Sequence, residues 1–367
     1  MTSPAPNYWD YLKLDRLLGL QGGLEDDEGK LLSDELHFIV VHQAFELWFK
    51  LCLRELREAR DHLASERVPE EKIPRVVHHL RRGSSILELC VDQFRVMETL
   101  TPQDFLAFRD KLIPASGFQS FQLRELELVL GLDEQLRPSY AGKDPLDHIK
   151  QLAETSPSGQ LAWQRIEAAR QELSLKEALR EWLYRTPVQG KGPADGDDEE
   201  TVSRFLSDYL AALRASSEGK AERLAAALND DPGPFRERIE EGLRAAERFL
   251  WAQDVPEGER ARMRRVRAGV LFIESYRELP LLAWPRLLID TVVELEEQLV
   301  LFRTRHARMV ERIIGRRVGT GGSSGVDYLD ETARYRIFDE LWAVRTILLP
   351  KTAVPPLQNA EQYGFVR

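Results

Sequence analysis

The chain has 367 residues, enough for one large domain or two ordinary ones, and its 43% hydrophobic content excludes global disorder. A net charge of −10 argues against general binding to nucleic acid or anionic membrane, which needs clustered Lys and Arg. No uninterrupted apolar run approaches the ~20 residues that span a bilayer. The opening MTSPAPNYWDYLKLD also lacks the basic and apolar regions of a signal peptide, so a cytoplasmic protein is expected.

Helical periodicity dominates, without a convincing run of alternating strand residues and without an internal repeat. Near the start, Tyr8 and Tyr11 in NYWDYLKLD sit three apart. They either staple this segment to the core or reach into a neighbouring subunit. The first long helix is predicted from Ser33 to about Ala64, with Ser33 as N-cap and Asp34 and Glu35 in the first turn. Phe38, Val41, His42, Phe45, Phe49 and Cys52 recur at steps of three and four and share one face. A second helix runs from about Pro74 to Leu100. Cys52 and Cys90 both fall in apolar helical patterns and read as packing thiols of a reducing compartment. Two cysteines cannot build a multi-cysteine zinc site, and no HExxH stretch occurs.

TPQDFLAFRDKL opens the next helix, with Thr101 as cap, Pro102 in the first helical position and Asp104 completing a capping-box pattern. PASG at 114–117 ends it, and FQSFQLRELELVLG begins another. HIKQLAE and WQRIEAARQELSLKEALREWLY continue the helical pattern. TPVQGKGPADGDDEE, 186–200, has no apolar period and reads as an exposed or partly disordered loop. Residues 201 to about 250 read as two helices joined at NDDPGP. The longest helix is expected from Pro285 to Ile314, stopped by Gly315. A glycine loop, GRRVGTGGSSGVDYL, follows, and the C-terminal PPLQNAEQYGFVR reads as irregular. The chain is therefore expected to be all-α: a single domain over 1–367, with an N-terminal arm at 1–32 and an insertion at 186–250.

Four groups of residues could carry chemistry. On FRTRHARMVERIIG, the face of Phe302, His306, Met309, Val310 and Ile313 holds an imidazole, while Arg303, Arg305, Arg308 and Arg312 lie mostly elsewhere. A buried neutral imidazole is a good iron ligand, and a basic surround suits an acidic cofactor such as heme. Taken alone, such a histidine is more often a core residue bonded to a carbonyl. His42 has the same ordinary reading. Flanked by Phe38 and Phe45, it could instead present a ring nitrogen into an aromatic pocket and accept a hydrogen bond from a substrate N–H. Phe105 and Arg109, spaced i, i+4, suit an amphipathic substrate with a carboxylate, although a surface arginine near Asp110 has the same sequence signature. GTGGSSG, 319–325, could wrap a ligand with backbone N–H groups and the hydroxyls of Thr320 and Ser323. It is not a Walker loop, and by itself it is more often a mobile connector.

Together, from Tyr8 to about Leu329, these stretches resemble the tryptophan 2,3-dioxygenases, heme enzymes that open the indole ring of L-tryptophan. YWDYLKLD, DELHFIVVHQAFELWFK, ETLTPQDFLAFRDKLIPASGFQSFQLRELE and RHARMVERIIGRRVGTGGSSGVDYL carry the likeness, and Thr320 lies fourteen residues after His306 as the family's threonine follows its ligand histidine. The resemblance implies the following roles. His306 is the heme-iron ligand and Ser116 and Gly117 lie beside the heme. His42 is the distal catalytic histidine contacting the indole N–H, between aromatic walls Phe38 and Phe105. Arg109 holds the carboxylate, and Thr320, with a heme propionate, holds the ammonium. Tyr8 and Tyr11 come from an adjacent subunit of a homotetramer built as a dimer of dimers. The implied cofactor is heme b with ferrous iron, and the co-substrate is O2. The product is N-formyl-L-kynurenine, at the first step of tryptophan catabolism. A related heme monooxygenase on a substituted tryptophan or indole, and a non-catalytic helical interaction protein, are the alternatives. The chain departs from the family pattern at Ser33, where relatives often have His, and at Phe94, where they often have Trp beside a propionate. Its 186–250 segment is also longer than in compact bacterial members.

Overall fold

The structure, a computed structural model, describes Ala5 and residues 7–66, 68–137, 145–320 and 325–364. Among the described residues it is helical, with no sheet; the only pairing of extended backbone is an isolated antiparallel bridge between Val188 and Lys191. The chain divides into two compact units: residues 1–55, 82–172 and 297–335 form the first, and 56–81, 173–296 and 336–367 the second.

Two 32-residue helices dominate, Ser33–Ala64 and Ala283–Ile314. The first forms where apolar residues recur at helical spacing, and Val41, Phe45, Phe49 and Cys52 on the predicted face are all buried. It runs antiparallel to Ile73–Met97: Gln93 donates to the Val41 carbonyl at 2.8 Å, and Arg82 pairs with Glu55 at 3.0 Å. By length and window-averaged composition alone the Ser33–Ala64 helix would also pass as a bilayer span, although it holds no uninterrupted apolar run of that length. A window average tolerates the interruptions at His42, Gln43 and Glu46, whereas a run count stops at them. The core packing of its buried face is the soluble alternative to such a span.

Thr101 caps the Pro102–Phe108 helix by accepting from the Asp104 amide at 3.2 Å, as the motif predicts. Arg109–Leu112 then tightens into a 3-10 turn, which Lys111 ties to Glu35 at 3.0 Å. Ser120 caps Phe121–Leu130 and also donates to Glu46 at 2.6 Å. Gly315, at φ 60°, accepts the left-handed conformation that ends the Ala283–Ile314 helix, its amide bonding the Glu311 carbonyl.

Several boundaries differ from the sequence expectation. The second helix stops at Met97, because Thr99 and Leu100 turn toward the Thr101 cap. The stretch expected to continue from HIKQLAE is three helices, Pro145–Thr155, Pro157–Gln171 and Leu175–Arg185, reset by the caps Ser156 and Ser174. The segment 201–250 belongs to three helices, Asp198–Ser217, Lys220–Leu228 and Pro232–Leu250, since Gly219 breaks what the apolar pattern ran together.

The 186–200 segment is exposed at 193–197, as expected, but its first part is tied down. Val188 and Gln189 are buried, and Arg265 donates to Asp198 at 2.9 Å and to the Thr186 and Lys191 carbonyls at 2.8 and 3.1 Å. Polar composition hid this, because a buried guanidinium supplies the backbone partners that an apolar period would otherwise signal. Elsewhere in the second unit, Arg260–Ser275 crosses Leu175–Arg185 closely. A Cβ at Gly269 would lie 2.7 Å from the Leu183 carbonyl oxygen.

Candidate active site

The first unit contains a cavity of ≈ 900 Å³ of atom-free space, its open mouth included. Phe105, Arg109, Ser116, Gly117, His306 and Thr320 all face it, six predicted residues drawn from three separate stretches of chain. Its apolar wall adds Leu123, Phe302, Val310 and Ile314.

His306 is half-buried on the Ala283–Ile314 helix. Phe94 stacks on it with ring centroids 5.6 Å apart and planes at 9°, and Phe302 lies 6.1 Å away. Burial, then the His42 and Arg124 charges, lowers its pKa to about 4, so the ring is neutral at ordinary pH. A neutral imidazole on a cavity wall is the form that a metal binds.

His42 sits one turn after Phe38, ring to ring at 4.0 Å, and its Nδ1 lies 2.8 Å from the Phe38 carbonyl oxygen. A carbonyl can only accept, so Nδ1 carries the proton and Nε2 keeps its lone pair. The ring retains accessible surface yet lies among dense protein at longer range. That surrounding mass lowers its pKa, outweighing the Phe38 carbonyl and Glu46. Phe38 continues into a ring cluster, 5.9 Å from Phe105 and 5.7 Å from Phe108. Phe45, 6.5 Å from His42 and 4.9 Å from Phe94, links the surroundings of the two imidazoles.

Arg109 and Thr320 are also held by backbone. Arg109 Nη2 donates to the Val318 carbonyl at 2.5 Å, while its buried Nε has no partner among the described residues. Thr320 Oγ1 donates to the Ala115 carbonyl at 2.6 Å. The glycine loop before Thr320 is thereby joined to the 109–117 stretch; Ser323, also proposed from that loop, lies outside the described residues. A Cβ built on Gly117 meets nothing within 4 Å, so its place at the cavity is not a steric necessity of this chain alone. Tyr8 and Tyr11 do not join the cavity; they are 69% and 79% exposed on the short Tyr8–Leu12 helix.

Sequence reading missed a buried charge cluster at the cavity. Arg124, Glu127 and Arg303 line it, with Glu127 receiving Arg124 at 2.9 Å and Arg303 at 3.1 Å, and Arg137 at 3.6 Å. Tyr335 covers the Arg303 guanidinium at 4.2 Å. Burial pushes the Glu127 carboxyl up, but Arg124, Arg303 and Arg137 together pull it below its ordinary range. The signal was present in FQLRELELVL, where charges interrupt a helix whose every later position is apolar or buried. Arg303, expected with the outward arginines, faces inward. Arg305 and Arg308 do face outward, to Glu98 at 2.7 Å and to Asp330 at 2.5 Å.

The Tryptophan 2,3-dioxygenase family profile matches residues 2–348. The chain belongs to the tryptophan 2,3-dioxygenase family. It is 49% identical over 366 residues to the tryptophan 2,3-dioxygenase of Sorangium cellulosum, covering 98% of this chain and 87% of that one. It is 48% identical to tryptophan 2,3-dioxygenase 2 of Ralstonia nicotianae, over 98% of this chain and 97% of the other. The animal enzyme of Xenopus tropicalis is 38% identical over 95% of this chain and 84% of its own length. The tryptophan 2,3-dioxygenase assignment thus extends through both compact units, not only through the unit that holds the cavity.

Proposed function

We propose that His306 binds the iron of heme b and that the cavity beside it holds the macrocycle and L-tryptophan. The chain is a dioxygenase: it inserts both atoms of O2 across the indole C2–C3 bond to give N-formyl-L-kynurenine. One observation carries the site reading. Residues far apart in sequence, chosen for iron, substrate and heme contacts, line a single apolar cavity.

The residues present fit a heme. His306 is neutral and faces the cavity, the wall is largely apolar, and Arg124 and Arg303 place guanidiniums there that suit anionic propionates. When bound, ferrous heme supplies the oxygen chemistry, and the chain supplies binding, orientation and electrostatics. Ser116 and Gly117 lie beside the macrocycle in this reading.

Tryptophan is held at three places. Arg109 takes the carboxylate and Thr320 the ammonium, while Phe38 and Phe105 wall the indole. His42 accepts the indole N–H at Nε2, the nitrogen left as acceptor when Nδ1–H is engaged by Phe38. Its lowered pKa supports orientation by the neutral ring, with proton handling second. Holding both reactants in contact could contribute several kcal/mol of the ~7–11 available to ideal orientation.

Tyr8 and Tyr11 serve a neighbouring subunit of a homotetramer, a dimer of dimers. The support is the exposed apolar arm: Trp9 is 62%, Leu18 62% and Leu24 81% accessible in the isolated chain. Residues 186–250 are a helical insertion into one catalytic domain spanning 1–367. The free, buried Cys52 and Cys90 support a cytoplasmic setting.

The test is spectroscopic. Purified protein with hemin, after reduction, should show a Soret band that shifts on adding L-tryptophan, and turnover under labelled oxygen should leave both atoms in the product. One retained atom would point to a heme monooxygenase. Absence of heme uptake would point to a helical interaction protein.

A further inference from the structure

Glu58, His62 and His79 lie in the second compact unit and take no part in the site above. Glu58 and His62 are four residues apart on the Ser33–Ala64 helix, so both side chains project from one face. His79 comes from the antiparallel Ile73–Met97 helix. One donor atom from each residue lies within 4.8 Å of the other two. The His62 and His79 rings are 6.0 Å apart, and His78 flanks His79 at 5.6 Å. Glu58 is exposed and both imidazoles are half-buried, so the cluster is open to ions from solvent.

From this juxtaposition we propose that Glu58, His62 and His79 form a site for one divalent transition-metal ion, with Zn²⁺ the best-fitting member of the class. Zinc takes His nitrogen at ~2.0–2.1 Å and carboxylate oxygen at ~2.0–2.2 Å, which puts tetrahedral donors roughly 3.3–3.5 Å apart. The observed spread is wider than that, so binding would require the side chains to rotate inward. Two imidazoles select zinc, copper or nickel over magnesium and calcium, which prefer all-oxygen shells. Three protein ligands leave the fourth position to water.

The ion would clip two helices close to the end of one of them. That end is already held from the other side: Arg185 donates to the Leu63, Ser65 and Glu66 carbonyls at 3.1, 2.8 and 2.5 Å. A ligand that binds only the folded hairpin raises the unfolding temperature, and the rise continues with the logarithm of ligand concentration beyond saturation.

The experiment uses the full, heme-loaded chain after dialysis against a chelator. Zn²⁺ is returned by equilibrium dialysis, and zinc and iron are counted separately by mass spectrometry. The expected result is one zinc per chain in addition to the iron, and an unfolding temperature that rises with zinc. His62→Gln and His79→Gln should each weaken binding by at least ~10-fold, the scale reached even by losses outside the direct ligand set. Glu58→Gln should weaken it with the iron content and Soret band unchanged. X-ray absorption at the zinc edge, blind to heme iron, should show histidine scattering in the unaltered chain, so the test survives a variant that misfolds. Zinc retained in full by the double variant His62→Gln/His79→Gln, or a zinc spectrum without histidine, would overturn the site.

Discussion

Phe94 lies flat against His306, the two planes only 9° from parallel, and the same phenyl ring touches Phe45 and Phe302 at 4.9 and 5.2 Å. The side chain is 2% exposed. Phe94→Ala should therefore cost ~3–5 kcal/mol of stability, the range for a buried phenyl, and remove the stacking contact on the imidazole. Urea unfolding and the heme-to-chain ratio check it. Unchanged values in both would mean that the stack positions nothing.

His306→Ala should remove stable heme binding without unfolding the helix around it, because Phe302, Met309 and Ile313 remain to pack the same face. Heme content after gel filtration, beside an unchanged helical circular dichroism spectrum, gives the answer. Retention of a full complement of heme refutes the ligand assignment.

Arg109→Ala should weaken tryptophan binding by ~2–5 kcal/mol, as expected where a buried carboxylate loses its charged partner. Arg109→Lys should recover only part, since an ammonium cannot offer the planar fork. Tryptophan titration of the Soret shift measures both. A change of a few tenths of a kcal/mol in the alanine variant would return Arg109 to the surface-residue reading.

Glu127→Gln should destabilise the chain by ~3–5 kcal/mol, because it leaves guanidiniums of Arg124 and Arg303 facing a neutral amide in a buried place. The native carboxyl is held below its usual range, so its stabilisation is complete above the ordinary Glu pKa of ~4.3 and is lost as pH falls through the depressed value. The stability gap between native chain and variant should accordingly narrow on acidification below about pH 4. Urea midpoints at a series of pH values test the sign; a gap that widens on acidification contradicts it.

Asp198→Ala should cost ~3–5 kcal/mol by stranding Arg265, whose side chain is 4% exposed. Limited proteolysis should then cut within 186–200 faster than in the native chain. A true surface loop would show neither effect.

Much of the fold was legible because long amphipathic helices write their period and their caps plainly: Thr101, Pro102 and Gly315 each do what their position predicts. The two candidate imidazoles on the long helices were equally easy to pick out, since His42 and His306 interrupt apolar faces; the structure puts His306 on the cavity wall and leaves His42 off it. Harder to read were features whose partners are distant in the chain. Arg265 answers Asp198 across 67 positions, and Glu127 answers Arg303 across 176. No local pattern marks either, so a partly buried segment looked wholly exposed and an inward arginine looked outward. The break at Ser174 was missed for a different reason, because its hydroxyl caps the Glu177 amide within a stretch of uniformly high helix propensity.

If Arg109 takes the carboxylate as proposed, its bond to Val318 would give that recognition an exchange character. In the proposed site a carboxylate that takes Arg109 Nη2 would displace the Val318 carbonyl, whereas an ammonium could donate to Thr320 Oγ1 while that hydroxyl keeps its bond to Ala115, so part of the affinity would be a difference between two sets of polar contacts. Ligands lacking the carboxylate leave the guanidinium with its resident carbonyl and forfeit less than a full charge-assisted bond. Discrimination against them then falls chiefly to fit of the ring system, and removal of the resident carbonyl contact would sharpen selectivity for the amino acid.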